Sequence, residues 1–248
     1  MSSDIIANFG FDKNGDDTKI VVIKEVNGCD SSFISNCVLG HCIKNKSPLL
    51  MISLHNSLLH YHNVGLKMNY NLQKCIESGL IDFYEAGEEL IDSTLEDKNI
   101  LSQNLWLKIK AKIDKLNEQH GSVNIIFEGL THLLDMQFTL KEVNIICKNI
   151  IDLMSGKKNT FLLFHCNVAS DDDVTNVLAN ILTYKAQILT EVENLPSGLS
   201  ADVSGRLTFK YIGLKYQKEY LHSLHHKQSQ YLFRLFDRGV KLLAPGTV

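Results

Sequence analysis

Val26-Asn27-Gly28-Cys29-Asp30-Ser31-Ser32-Phe33 joins an apolar run, Lys19 to Lys24, to a segment carrying Ile34, Val38 and Cys42 at helical spacing. A strand that passes through a glycine-containing turn into a helix is the opening unit of a parallel α/β sheet, provided the unit recurs. Pro48 to Leu54, Leu80 to Tyr84, Val123 to Glu128 and Thr160 to Cys166 repeat it as short runs apolar on both faces. Amphipathic stretches separate them. One sets Trp106, Ile109, Ile113 and Leu116 on one face with Lys108, Lys112 and Lys115 turned away, and another spaces Val143, Ile146, Cys147 and Ile150 as a helix does. Alternating strands and helices require βαβ crossovers, hence a parallel sheet covered on both faces.

Beyond Thr183 the pattern changes. Ala186 to Val192, Leu207 to Ile212, Gln230 to Phe236 and Val240 to Leu243 read as strands punctuated by Gly198, Gly205 and Gly213, which predicts an antiparallel extension of the sheet. At 248 residues with 44% hydrophobic side chains, the chain suffices for one sizeable core, and 1–248 is expected to be a single domain with an irregular or flexible N-terminus over 1–18. Asn14 to Thr18 and Ser93 to Asn99 read as solvated loops. A net charge of -3 supplies no general attraction for nucleic acid or an anionic membrane. The polar start and the lack of any apolar run near ~20 residues predict a soluble, intracellular protein outside the membrane. Six scattered cysteines without a CxxC pair fit reduced core thiols.

A phosphate-binding loop of the form GxxxxGK[ST] needs glycines that open the backbone N–H groups, a lysine for the β and γ phosphates and a hydroxyl for Mg²⁺. Gly28, Ser31 and Ser32 remain in Asn27 to Phe33, but the lysine is missing and Asp30 adds negative charge where phosphate would lie. A glycine turn with a serine helix cap is the structural expectation. The strand that would carry the Mg²⁺-binding acid ends in Glu128-Gly129, one carboxylate without the rest of the apparatus. The fold class expected is therefore α/β, the RecA-like P-loop NTPase fold, with a mostly parallel sheet, but without its chemistry. No catalytic, cofactor-binding or metal-ligating residue is assigned.

His222, His225 and His226, with His60 and His62, make the best histidine set, yet no cysteine or carboxylate pattern completes a zinc signature. Cys37, His41 and Cys42 read as part of an apolar helix. Asp171 to Asp173 suit a helix N-terminus better than a metal. Lys108, Lys110, Lys112 and Lys115 read as a solvated helix face, whereas Lys210, Lys215 and Lys218, beside Tyr211, Tyr216 and Tyr220, are the candidate RNA contacts, pairing charge for phosphates with rings for bases.

Several separated segments then resemble one family, that of the sixth subunit of the Elongator complex. Ser57-Leu58-Leu59-His60-Tyr61-His62-Asn63-Val64-Gly65-Leu66-Lys67 matches its serine, histidine-tyrosine, valine-glycine and lysine stretch, with Asn69 in place of a glycine. Glu193 to Gly198 followed by Asp202 to Leu207 resembles its hairpin, and Val240 to Gly246 its closing strand. Residues before Lys19 and from Glu85 to Gln103 carry no such match, and Glu128-Gly129 stands where the family keeps two aspartates. The resemblance implies a non-catalytic RecA-like subunit. It would join sister subunits four and five in a heterohexameric ring that binds the catalytic Elongator subcomplex and tRNA, in support of wobble-uridine modification at carbon 5. The expected location is the cytoplasm, with the nucleus left open as a second one. The competing expectation is a stand-alone P-loop ATPase or kinase with a degenerate phosphate loop.

Overall fold

The computed structural model describes residues 3–11, 17–93, 98–198, 200, 202–212 and 228–243. In chain order the elements are α1 (Ser3–Phe9), β1 (Lys19–Val26), α2 (Ser32–Lys44), β2 (Leu49–Ser53), α3 (Leu58–Lys67), α4 (Leu72–Glu77), β3 (Ile81–Glu85), α5 (Ala86–Asp92) and α6 (Lys98–His120). There follow β4 (Asn124–Glu128), α7 (His132–Asp135), α8 (Leu140–Met154), β5 (Phe161–Val168), α9 (Val174–Thr183), β6 (Ile188–Glu193), β7 (Gly205–Tyr211), β8 (Gln228–Phe236) and β9 (Gly239–Leu243). One nine-stranded sheet runs in the order β3-β2-β4-β5-β1-β6-β7-β8-β9. Every pairing from β3 through β6 is parallel and every pairing from β6 onward is antiparallel, as the change of pattern after Thr183 predicts.

Side chains alternate across the parallel strands, so each strand feeds two cores. Val22, Leu50, Ile52, Ile125, Phe127, Leu162 and Phe164 meet Leu105, Ile109, Ile113, Val143, Ile146 and Leu178 from α6, α8 and α9. Val21, Ile23, Leu49, Met51, Ile126 and Leu163 pack on the other face with Ile34 and Val38 of α2, Tyr61 of α3 and Leu72 of α4. Double-sided burial is why these strands lack polar alternation. α8 starts with a reciprocal cap, the Thr139 hydroxyl accepting the Glu142 N–H while Glu142 accepts the Thr139 N–H.

The N-terminal stretch departs from the irregular segment expected over 1–18. Ser3–Phe9 is helical and buries Ile5, Ile6 and Phe9. Phe9 meets Phe209 edge-on at 5.6 Å, and Phe11 stacks on Phe161 at 4.2 Å. Lys19 Nζ donates to the Phe9 carbonyl at 3.1 Å, closing the end of the helix. A seven-residue helix has little stability of its own, and these tertiary contacts hold it. Of the loop expected over Ser93 to Asn99, residues 94–97 lie outside the described residues, and Lys98 already begins α6. Of the six thiols, all free, five are buried and Cys75 is half-buried; burial pushes Cys37 up to about 12.

The segment that carries the family resemblance near α3 has a packing reason. Ser57 caps α3 by accepting the His60 N–H at 3.3 Å, and Asn69 takes the left-handed turn at φ 65°. Between them, Gly65 lies so close to the Tyr70 ring that an added Cβ would come within 2.5 Å of it. Gly65→Ala should therefore lower stability by about 1–3 kcal/mol through overpacking, read as a fall in the urea midpoint at unchanged slope.

Candidate functional site

In an open parallel sheet, ligands bind beyond the carboxyl ends of strands where neighbouring connections leave for opposite faces. Adjacent strands β1 and β5 meet this condition, since β1 leads to α2 on one face and β5 to α9 on the other. The loop after β1 turns through two left-handed residues, Asn27 (φ 53°) and Gly28 (φ 67°), and Cys29 N–H returns to the Val26 carbonyl at 3.2 Å. Nothing approaches Gly28 closely, so the glycine serves the turn alone.

Ser31 stands at the cap position of α2, but its side chain does not cap the helix, which corrects the serine cap expected there. Asp30 takes that work: its carboxylate accepts the Ser32 N–H at 2.9 Å. The Ser31 hydroxyl turns inward, lying 2.9 Å from Glu25 Oε2 and 2.6 Å from His165 Nε2. The Ser31 N–H donates to the same Glu25 oxygen at 2.9 Å, and Asn167 Nδ2 donates to Glu25 Oε1 at 2.9 Å. On the far side of the imidazole, the Gly129 N–H donates to His165 Nδ1 at 3.2 Å.

That last bond sets every proton in the chain. Nδ1 accepts, so the ring proton sits on Nε2 and is given to Ser31 Oγ, which passes its own proton toward Glu25. Gly129, Ser31 and His165 therefore link the ends of β4, β1 and β5 through one buried relay. His165 is 2% exposed and Ser31 and Glu128 are fully buried. Burial alone would push the Glu25 carboxyl up; the His165 imidazole beside it and the two Ser31 donors outweigh that and hold it down at about 2.

Glu128 has partners of its own. Its carboxylate lies 2.9 Å from Ser53 Oγ and accepts from Asn56 Nδ2 at 3.1 Å, while His165 Nδ1 is 4.0 Å away and already occupied. Ser31, His165 and Glu128 thus bring together the residue types of a serine hydrolase triad, but not its geometry. The hydroxyl is closed to solvent, and the ring nitrogen that should face the acid accepts an amide proton instead. Gly129, which the sequence leaves without a role, supplies that amide. Lys24, next to Glu25 in β1, cannot replace the missing loop lysine. It points to the other face and donates to Asn176 and Asn180 of α9 at 3.0 and 2.6 Å.

Asp173 caps α9 by accepting the Thr175 N–H at 2.8 Å, the helix-end role expected of the Asp171 to Asp173 run. Lys210, on β7, is in an ion pair with Glu191 of β6 at 2.5 Å, and Tyr211 donates its hydroxyl to Asn8 at 3.0 Å. Lys215, Lys218, Tyr216, Tyr220, His222, His225 and His226 lie outside the described residues. Lys108 pairs with Glu89, Lys112 with Asp82 at 2.8 Å and Lys110 with Asp114 at 3.4 Å, so these three α6 lysines each meet an acid. His60 and His62 sit on α3, and His60 lies edge-on to Tyr61 at 5.3 Å. Cys37 and Cys42 are core residues of α2. Glu25, His165 and Asn167 carry the site yet escape a motif search. Their signal is a polar side chain inside a strand otherwise apolar on both faces.

The order of strands, the two helical layers and the β1–α2 loop define a RecA-like α/β domain. A solved structure of the same fold is the KaiC-like protein PH0186 from Pyrococcus horikoshii OT3, at a TM-score of 0.60 and 8% identity over 90% of this chain and 88% of that one. The family model described as Elongation complex protein 6 matches residues 5–237, and the chain belongs to that family. The match spans the early residues and the 85–103 stretch that show no resemblance by motif. Elongator complex protein 6 of Drosophila melanogaster is 25% identical over 92% of this chain and 91% of its own length. The proteins of the same name from Danio rerio and Homo sapiens are each 21% identical over 88% of this chain and 87% of theirs.

The Glu25 geometry makes stability depend on acid. Its carboxyl is held at about 2, below the ordinary carboxylate range, so the ionised form contributes fully above about pH 4.5 and its contribution is lost as pH falls toward 2. Urea unfolding from pH 6 to 2 should show a decline on the order of 3 kcal/mol from this group. Glu25→Gln should be less stable at pH 6 and should lose that part of the acid dependence; an unchanged pH profile would contradict the assignment.

Proposed function

We propose that this chain is a non-catalytic subunit of the Elongator complex. In this reading it assembles with sister RecA-like subunits four and five into a heterohexameric ring that binds tRNA. The ring then supports modification of the wobble uridine at carbon 5 by the catalytic subcomplex, in the cytoplasm. Family membership supports the complex. The observation that carries the non-catalytic reading is at the β1–α2 loop. Where a nucleotide phosphate would need a lysine and free amides, the chain presents the Glu25 carboxylate bonded to the Ser31 amide and hydroxyl. Assembly with other chains is supported by apolar side chains left on the surface: Leu59 and Leu66 on α3, and Ile100 and Leu107 on α6, each expose more than half their area. Among the described residues, no helix is long and apolar enough to cross a membrane.

The isolated chain should hydrolyse ATP no faster than buffer, and co-purification from cells should recover two RecA-like partners in equal amount. Turnover by the chain alone, abolished by Glu128→Gln, would instead support the stand-alone ATPase. For RNA, reversing charge at Lys215 and Lys218 should weaken tRNA binding by the assembled ring about tenfold and flatten its salt dependence. Lys210→Glu should matter less, because Lys210 already spends its charge on Glu191. Unchanged affinity in the Lys215 and Lys218 variant would remove this surface from the account.

A further inference from the structure

We propose that the Glu25 carboxylate is the resident anion of the β1–α2 loop, an internal occupant that keeps phosphates and other oxyanions out. A loop that lost its lysine by drift would be expected to leave its start-of-helix amide to solvent or to a cap from the loop itself. Here the amide at the cap position of α2 is taken by a carboxylate that reaches back from the preceding strand, six residues earlier. It has the donor set that an oxyanion wants: one backbone N–H, one hydroxyl and one side-chain amide, at 2.9 Å each. The Asn167 donor comes from β5 and the His165 support behind Ser31 comes from the same strand, so the cradle is built from two strands and a loop.

The contact acts by occupation and by charge. The Glu25 side chain is 13% exposed, so its carboxylate fills the position that an incoming group would need. An external phosphate would have to displace a carboxylate from three donors or sit against it as a like charge. Asp30 adds to the exclusion from outside, its carboxylate engaged with the Ser32 amide. The low carboxyl value of Glu25 fits an anion that stays ionised although buried. This inference concerns the loop of the single chain and stands independently of ring membership.

Chemical rescue tests it. Glu25→Ala removes Cγ and the carboxyl group, the atoms of one acetate ion, and leaves the donors behind. Thermal unfolding of the full chain would be compared in sodium acetate and sodium chloride at equal ionic strength for the wild type, Glu25→Ala and Glu25→Gln. The expected result is that ~100 mM acetate raises the midpoint of Glu25→Ala by several degrees beyond chloride and does nothing specific for the other two, whose loops are filled. Equal effects of acetate and chloride on Glu25→Ala would overturn the proposal. Should the variant fail to fold in both salts, the wild type decides the matter by carboxyl ¹³C NMR. Glu25 must remain ionised at pH 4 with the Ser31 amide proton insensitive to added inorganic phosphate. A half-protonated Glu25 at that pH, or a saturable phosphate shift at Ser31, overturns it as well. Neither outcome depends on which proteins co-purify with the chain.

Discussion

The acceptance of the Gly129 amide proton by His165 Nδ1 orders the polar interior of this protein. Because that nitrogen accepts, the imidazole must donate through Nε2, Ser31 must turn inward to receive it, and Glu25 must receive the Ser31 proton. Three strand ends, those of β4, β5 and β1, are thereby tied together. In a buried polar chain of this kind one unmet donor or acceptor costs about 1–3 kcal/mol, and here the Gly129 amide and the Ser31 amide and hydroxyl find acceptors. The tie therefore fixes the position of the β1–α2 loop more firmly than the glycine turn alone.

In a nucleotide-binding relative of this fold the same place must stay open, polar and ready to pair with phosphate and metal. Here the side chains that line it bond to one another. Glu25 takes the Ser31 amide, Glu128 takes Ser53 and Asn56, Lys24 turns to α9, and Asp30 caps α2. These bonds hold the loop after β1 in one arrangement, which suits the non-catalytic role proposed for the chain. α3 bears on the same point, because Gly65 lets Tyr70 pack closely while Leu59 and Leu66 face outward.

Much of the fold is legible in the residues because burial leaves a direct trace. Strands such as β2 and β4 are covered on both faces and so carry the apolar runs Leu49 to Ile52 and Ile125 to Phe127, whereas β8 and the edge strand β9 mix polar and apolar side chains. α1 is not legible in the residues, since a seven-residue helix depends on contacts with Phe209 and Lys19, which come later in the chain. The missing phosphate lysine is plain in the residues, and so is the negative charge of Asp30, but not its bond to the Ser32 amide. The site formed by Glu25, His165 and Asn167 is hidden in the sequence because its strand-to-strand pairing is long-range: Ser31 and His165 are 134 residues apart, and Glu25 and Asn167 are 142 apart. A polar residue in an apolar strand marks that something is paired there without saying with what.

The central claim is that the loop after β1 holds its own carboxylate and has no room for a nucleotide. Titration of Mg·ATP into the isolated chain by calorimetry tests it most directly. The account predicts no saturable heat up to about 1 mM, a bound weaker than roughly -4 kcal/mol of binding free energy. One-to-one binding of Mg·ATP that shifts the Ser31 amide would contradict it.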